Sequence, residues 1–290
     1  AKTPSILMAT MAITNAVLDP ILIFGWFGLP ALGVKGAALA SVLSNVLFLI
    51  ASVLILVYRD NLIQFANHSL NSVIESWKKI LHVGLPAIAS NLIAPVSMAL
   101  VTALISSYGQ EAVAAYGLAG RLEALIVVII MSLGGAMSPY VGQNFGAKRF
   151  DRLEDGFKFA ARFTLGYSIF CIIFMYLLAE PLIGLFTSDP EVIRIAKMQL
   201  LICPWGYGFL SLAGITNGSF NALGKPMPAM IISISRTLII YVPMAYLFSA
   251  LIGIQGVFIA QVAANILAGC VGVIWYKSIF KQISNQAEFA

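Results

Sequence analysis

The chain has 290 residues, of which 60% are hydrophobic and only 10% charged, with a mean hydropathy of +0.94. Soluble globular chains are roughly 45–50% apolar and about 25% charged, so this excess cannot be hidden in one core, and lipid must solvate much of the surface. The formal net charge of +5 is read as Lys and Arg in loops facing an anionic cytoplasmic leaflet, not as a nucleic-acid surface. Cys171, Cys203 and Cys270 each sit in an apolar run without a CxxC pair or a neighbouring His, and are expected to be small buried hydrophobes. His68 and His82 share one polar connection and do not make a metal site. No initiator Met and no signal peptide precede the first apolar run, so the chain is expected to begin inside a larger protein.

A membrane-crossing helix needs about 20 mostly apolar residues. In chain order that predicts eight spans, at 4–26, 36–58, 84–107, 122–145, 160–180, 197–222, 228–249 and 254–276. The first holds the only acid deep inside an apolar run, Asp19, with Asn15 one turn earlier on the same face and Pro20 directly after. A carboxylate and an amide oxygen at that spacing offer hard ligands to a small cation such as Na+. A carboxylate at mid-bilayer normally faces a cavity or a partner, and Pro20 either kinks the helix beside it or ends it. The alternative is that Asp19-Pro20 only marks the outer end of the helix.

Between the second and third spans lies a polar connection, 59–83. Its second half, Val73-Ile74-x-x-Trp77-x-x-Ile80-Leu81, has helical apolar spacing and is expected to lie on the cytoplasmic surface. In the third span Asn91 is a candidate cavity residue, with a helix–helix hydrogen bond as the other reading. Glu123, beside Arg121 at the start of the fourth span, reads as a solvated rim pair. Gly142-x-x-x-Gly146 and Gly214-x-x-x-Gly218 are small-residue spacings that allow helices to approach closely. Arg236, in the seventh span, is expected either to snorkel to the cytoplasmic face or to contact substrate. Trp26, Trp77, Trp205 and Trp275 fall near predicted span ends, as interfacial anchors do.

With these spans, Lys35, Arg121, Arg194 and Lys197 lie on one side and the rest of the 17 basic residues on the other. The positive-inside rule then puts both termini in the cytoplasm, and the protein in the cell's inner membrane as a multi-pass protein. Gly33-Val34-Lys35-Gly36 with Ala40, Val42, Asn45 and Leu47 recurs as Gly253-Ile254-Gln255-Gly256 with Ala260, Val262, Asn265 and Leu267, at a constant separation of 220. Pro4 and Pro228 extend the match at 224, the difference falling on Leu29–Leu32. Both copies enter from the same side, which makes the repeat parallel. The expected fold is therefore all-α: a polytopic transmembrane bundle with one complete six-helix lobe, 84–277, preceded by the last two helices of another lobe, 1–58. Residues 59–83 link the two, and 278–290 form a cytoplasmic tail. No GxSxG, HExxH or Walker A pattern appears and no paired acids sit inside the spans, so neither an enzyme nor an ATP-driven pump is expected, and no cofactor beyond a coupling ion.

Several stretches carry a family resemblance: Asn15-Ala16-Val17-Leu18-Asp19-Pro20, Gly36-Ala37-Ala38-Leu39-Ala40-Ser41, Gly84-Leu85-Pro86, Gly142-Gln143-Asn144-Phe145-Gly146-Ala147 and Leu185-Phe186-Thr187-x-Asp189-Pro190-Glu191-Val192. In this order and over the whole chain, the sequence resembles the multidrug and toxic compound extrusion (MATE) family. The resemblance implies a twelve-helix, two-lobe antiporter, monomeric when complete, that exports small organic and often cationic compounds against H+ or Na+ entry. This chain would be helices five to twelve, and the first four helices would be missing. It implies a cation site at Asp19 and Asn15, with the hydroxyl of Ser41 at the family's Thr position. A further acid carried by some members falls at Ala94 here, which shifts coupling to Asp19. The nearest alternative is a flippase for a lipid-linked saccharide, disfavoured because only Arg236 offers a basic cavity residue. A non-transporting membrane scaffold is the other.

Overall fold

The computed structural model describes the backbone of residues 2–28, 30–59 and 70–288; the side chains of 2–5, 71, 79, 82–91, 94 and 284–288 lie outside the described set. The described residues are helical throughout apart from short turns, as a chain solvated by lipid requires: hydrocarbon offers no partner for a free N–H or C=O, and a helix satisfies both within one segment. Seven helices among the described residues are long and apolar enough to cross a membrane: Ile6–Phe24, Val34–Arg59, Gln110–Gly146, Phe150–Gly184, Pro190–Ala222, Pro226–Ile252 and Ile254–Ile283. The remaining expected span, 84–107, falls on α3 (Leu70–Ser106), whose segment Pro95–Ser106 is apolar and whose side chains at 82–91 are outside the described residues.

Packing divides the chain into two units, Ala1–Lys78 and Lys79–Ala290, each described by itself. In the first, α1 (Lys2–Phe24) and α2 (Val34–Leu54, continued as a π-helical turn Ile55–Arg59) form a hairpin. Its turn is closed by the Leu32 N–H donating to the Leu22 carbonyl at 3.1 Å and Gly33 N–H to that of Ile23 at 3.2 Å. Gly36 then sits directly on the Leu22 backbone, where a Cβ would overlap it. The second hairpin carrying the repeated sequence has the same local build. Gly253 (φ 70) matches Gly33 (φ 56), Gly256 lies on the Phe248 backbone, and Ala40 and Ala260 are both fully buried. Only glycine tolerates both the left-handed φ and the contact.

The second unit continues with α4 (Gln110–Gly146), α5 (Phe150–Gly184), α6 (Pro190–Ile202), α7 (Tyr207–Ala222), α8 (Pro226–Ile234), α9 (Val242–Ile252) and α10 (Ile254–Glu288). A 3-10 turn, Cys203–Gly206, joins α6 to α7 and a π-helical turn, Ser235–Tyr241, joins α8 to α9, so each pair makes one span. The α6–α7 span is the centre of the bundle: 61% of its apolar window is buried, more than in any other described span. Small residues let its neighbours reach it, which matters because lipid is as apolar as a leucine and gives helices no solvent reason to associate. A Cβ on Gly218 would lie 2.7 Å from the Gly134 carbonyl oxygen of α4, and Gly269 and Gly272 of α10 face Phe209 and Thr216. At the joint, Pro204 cannot donate to the preceding turn. Ser168 of α5 bridges the next step of the ladder, its Oγ donating to the Pro204 carbonyl at 2.9 Å and accepting from the Gly208 N–H at 3.1 Å.

The two familiar motifs of this unit turn out to be structural. Gly142–Ala147 makes the α4–α5 turn, with Arg149 N–H donating to the Asn144 carbonyl at 2.9 Å. Asp189 caps α6, accepting from Glu191 N–H at 2.9 Å and Val192 N–H at 3.1 Å, with Pro190 at the first helical position.

Several expectations need correction. The surface helix at 73–81 is no separate element, because α3 runs unbroken from Leu70 to Ser106. Residues 278–288 continue α10 as helix. Trp205 sits at the α6–α7 joint, well inside its span and not at an end. Cys171 and Cys203 are buried, but Cys270 is exposed, in line with the exposed Val271 and Ile274 of the same helix. Of the two glycine pairs, only Gly214/Gly218 makes a close approach; nothing lies within 4 Å of a Cβ on Gly142 or Gly146. Gly218→Leu should therefore cost about 1–3 kcal/mol or more of stability, while Gly142→Leu should stay within about 0.5 kcal/mol, measured as thermal unfolding in detergent.

Candidate functional site

The expected cation ligands lie on the α1–α2 hairpin, and its turn sets their register. From the Leu22–Gly36 contact, Asn15 is about 10 Å back along α1 and Ser41 about 8 Å along α2, so the two arrive at nearly the same level. The Asn15 Nδ2 lies 3.5 Å from the Ser41 Oγ, at the outer limit of a hydrogen bond. Pro20 does not end α1, which continues to Phe24. Asp19 therefore sits inside the helix and not at its terminus. The Pro20 ring has no N–H, which leaves the Ala16 carbonyl without its helical donor. Asp19 Oδ1 is buried and has no hydrogen-bond partner among the described residues, and the same holds for Ser44 Oγ, one turn beyond Ser41. An oxygen in that state has lost its water without a replacement, a costly arrangement for a group with no further ligand. The hairpin thus carries carboxylate, amide, hydroxyl and free carbonyl oxygens within otherwise apolar helices, the donor set of a proton or Na+ site.

In the second unit the structure holds a polar cluster that the sequence reading missed. Glu123 is not a rim residue paired with Arg121. Helix α4 begins at Gln110, so Glu123 lies well inside it, and its Oε1 accepts from Gln199 Nε2 at 3.3 Å. Gln199, Cys203 and Tyr207 are spaced four apart across the α6–α7 joint, and the last two also lie beside the carboxylate. A signal was available: Ala112, Ala115 and Ala119 form a small-residue stripe at helical spacing, all fully buried, which carries the helix back past Arg121.

Arg236 does not stand free. It lies in the π-helical turn Ser235–Tyr241 and its Nη1 donates to Asn265 Oδ1 on α10 at 3.2 Å. The Asn91 side chain lies outside the described residues. If Glu123 depends on Gln199 for its hydrogen bond, Gln199→Leu should destabilise the fold by about 1–3 kcal/mol. Arg121→Ala, which removes no partner of Glu123, should change it by less than about 1 kcal/mol. Thermal unfolding of both variants in detergent reads the difference.

Comparison with known proteins agrees with this architecture. The MatE family model matches residues 86–247, more than half of the chain. The FAD transporter of Shewanella oneidensis is 31% identical over 92% of this chain and 59% of its own length. The probable multidrug resistance protein YoeA of Bacillus subtilis is 28% identical over 97% of this chain and 62% of its own. Among solved structures, the Vibrio cholerae MATE transporter VcmN in its bent form superposes with a TM-score of 0.80 at 30% identity, covering 97% of this chain and 63% of that one. The chain thus spans about 60% of the length of the relatives it matches. It belongs to the MATE family, whose members are membrane transporters.

Proposed function

We propose that this chain forms the larger part of an ion-coupled antiporter that exports organic, often cationic, compounds by alternating access, with Asp19 as the coupling carboxylate. The observation that carries the reading is the buried, unpartnered Oδ1 of Asp19, inside a membrane-length helix and beside the Asn15–Ser41 pair at 3.5 Å. A proton on that oxygen, or Na+ against it, supplies what the hairpin lacks. Occupancy then biases α1 at Pro20 between two shapes, because a ligand shifts a conformational equilibrium by its difference in affinity for the two states. Glu123 is a second intramembrane carboxylate, already hydrogen-bonded to Gln199, and we assign it a positioning role at the α6–α7 joint.

The complete transporter, on this reading, has twelve helices in two lobes, of which this chain supplies the fifth to the twelfth. The greater length of the relatives supports this, and so do the open faces of the hairpin. No residue of the best apolar window of Ile6–Phe24 is buried, and Ile13, Val17 and Val42 are all more than half exposed. Further helices or lipid must cover them. Both termini lie in the cytoplasm and the protein resides in the inner membrane. The distribution of Lys and Arg supports that orientation, since only Lys35, Arg121, Arg194 and Lys197 fall on the outer side of the expected spans. A lipid-linked saccharide flippase is less well supported, since Arg236 is already engaged by Asn265.

The test uses the intact transporter in sealed vesicles, with a H+ or a Na+ gradient imposed separately. A fluorescent organic cation is one probe; FAD is the other, since a relative carries that name. One gradient should drive transport of a probe in the wild type, and Asp19→Asn should abolish it while leaving the yield of folded protein unchanged. Undiminished gradient-driven transport in Asp19→Asn would remove Asp19 from the mechanism.

A further inference from the structure

A cleft of about 670 Å3 opens between the first turns of α5 and the last turns of α10, and its lining includes none of Glu123, Gln199, Cys203 and Tyr207. Its rim carries two cationic pairs at i, i+4 spacing, Lys158 and Arg162 on α5 and Lys277 and Lys281 on α10. One acid joins them: Glu154, which pairs with Lys158 at 2.6 Å. Arg162, Lys277 and Lys281 have no acidic partner within salt-bridge distance among the described residues. Deeper in the cleft the wall is Leu165, Leu212 and Val273. Between rim and wall stand Phe157 and Tyr276, stacked at 4.3 Å between ring centroids. The Tyr276 hydroxyl is buried and has no hydrogen-bond partner among the described residues.

The depth of this cleft decides what it faces. Helix α5 carries no charge from Phe163 to Ala179, and α10 none from Ile254 to Tyr276. These stretches are about 25 and 35 Å long, the thickness of a hydrocarbon core. Arg162 and Lys277 are therefore the first charges met on leaving the hydrocarbon on this side, and both stand on the cleft. A surface that is apolar below and cationic at headgroup level matches one ligand shape, an acyl chain ending in a phosphate.

We propose that this cleft is a binding site for an anionic glycerophospholipid of the inner leaflet, of the phosphatidylglycerol or cardiolipin class. Arg162, Lys277 and Lys281 hold the phosphate, and an acyl chain lies along Leu165, Leu212 and Val273. Basic clefts between transmembrane helices on the cytoplasmic side recognise anionic headgroups in this way. The site ties the ends of α5 and α10 together through a lipid, and its occupancy follows the composition of the bilayer.

The experiment is native mass spectrometry of the intact transporter titrated with phosphatidylglycerol, cardiolipin or phosphatidylcholine, with inorganic phosphate as competitor. The wild type should retain the anionic lipids in preference to phosphatidylcholine. Lys277→Gln/Lys281→Gln should weaken that retention about thirtyfold, given the attraction of each cation near an anionic headgroup. Lys277→Arg/Lys281→Arg should keep it, and Glu154→Gln, which removes the acid on the rim, should raise it. Lys148→Gln/Arg149→Gln, at the same end of the bundle but off the cleft, should leave it near wild type. Three results overturn the proposal. One is equal retention of anionic and zwitterionic lipid by the wild type. Another is the same loss from the off-cleft pair, which would mean diffuse surface attraction. The third is full displacement by inorganic phosphate, which would mean a phosphate site without a lipid tail.

Discussion

Hydrocarbon cannot hydrogen-bond a peptide group, and every departure from regular helix in this protein is arranged around that fact. At the joint of the central span, Ser168 of the neighbouring helix bridges the Gly208 N–H and the Pro204 carbonyl. Where α8 widens into the π-helical turn, Thr237 Oγ1 donates to the Ser233 carbonyl at 2.9 Å and Arg236 is held by Asn265. With backbone demand met inside each span, association rests on close packing. That is why the glycines of α4, α7 and α10 converge on one central span.

The same constraint makes the exceptions informative. A buried hydroxyl or carboxylate that has a partner, such as Ser168 or Glu123, contributes to the architecture. Asp19 Oδ1 has none among the described residues, a state it shares with Ser44 Oγ of the same hairpin and with Gln199 Oε1 and Tyr207 Oη of the second unit. The two carboxylates therefore divide by environment. Glu123 lies on α4, and its Oε1 accepts from Gln199 of the most buried span. Asp19 lies in a hairpin with open faces, next to a proline that weakens the helix. A coupling group must gain and lose its ion as the protein moves, and the second setting suits that better than the first.

Hydropathy and charge made the span pattern legible because a 20-residue apolar run is a strong signal and a loop lysine is another. Ser41 entered only through the family resemblance; in the hairpin its Oγ lies 3.5 Å from Asn15 Nδ2. What failed to show were long-range partners. Glu123 read as a rim residue because Arg121 stands two positions away, whereas its partner Gln199 is 76 residues on. The partner of Arg236 was equally out of sight, since Asn265 is 29 residues distant and on another helix. The polar residues at the start of α3 and the end of α10 are helical because helical propensity and polarity are separate matters, and a polar stretch can prolong an apolar helix.

The central claim is that Asp19 holds an exchangeable cation that substrate binding and export must displace. The most direct measurement is cation release from the purified intact transporter on adding a transported compound, followed with a pH indicator for H+ and by radiotracer for Na+. Release should occur in the wild type and in Glu123→Gln, and should be lost in Asp19→Asn. Release of the same size from Asp19→Asn would contradict the account and move the exchange site elsewhere in the molecule.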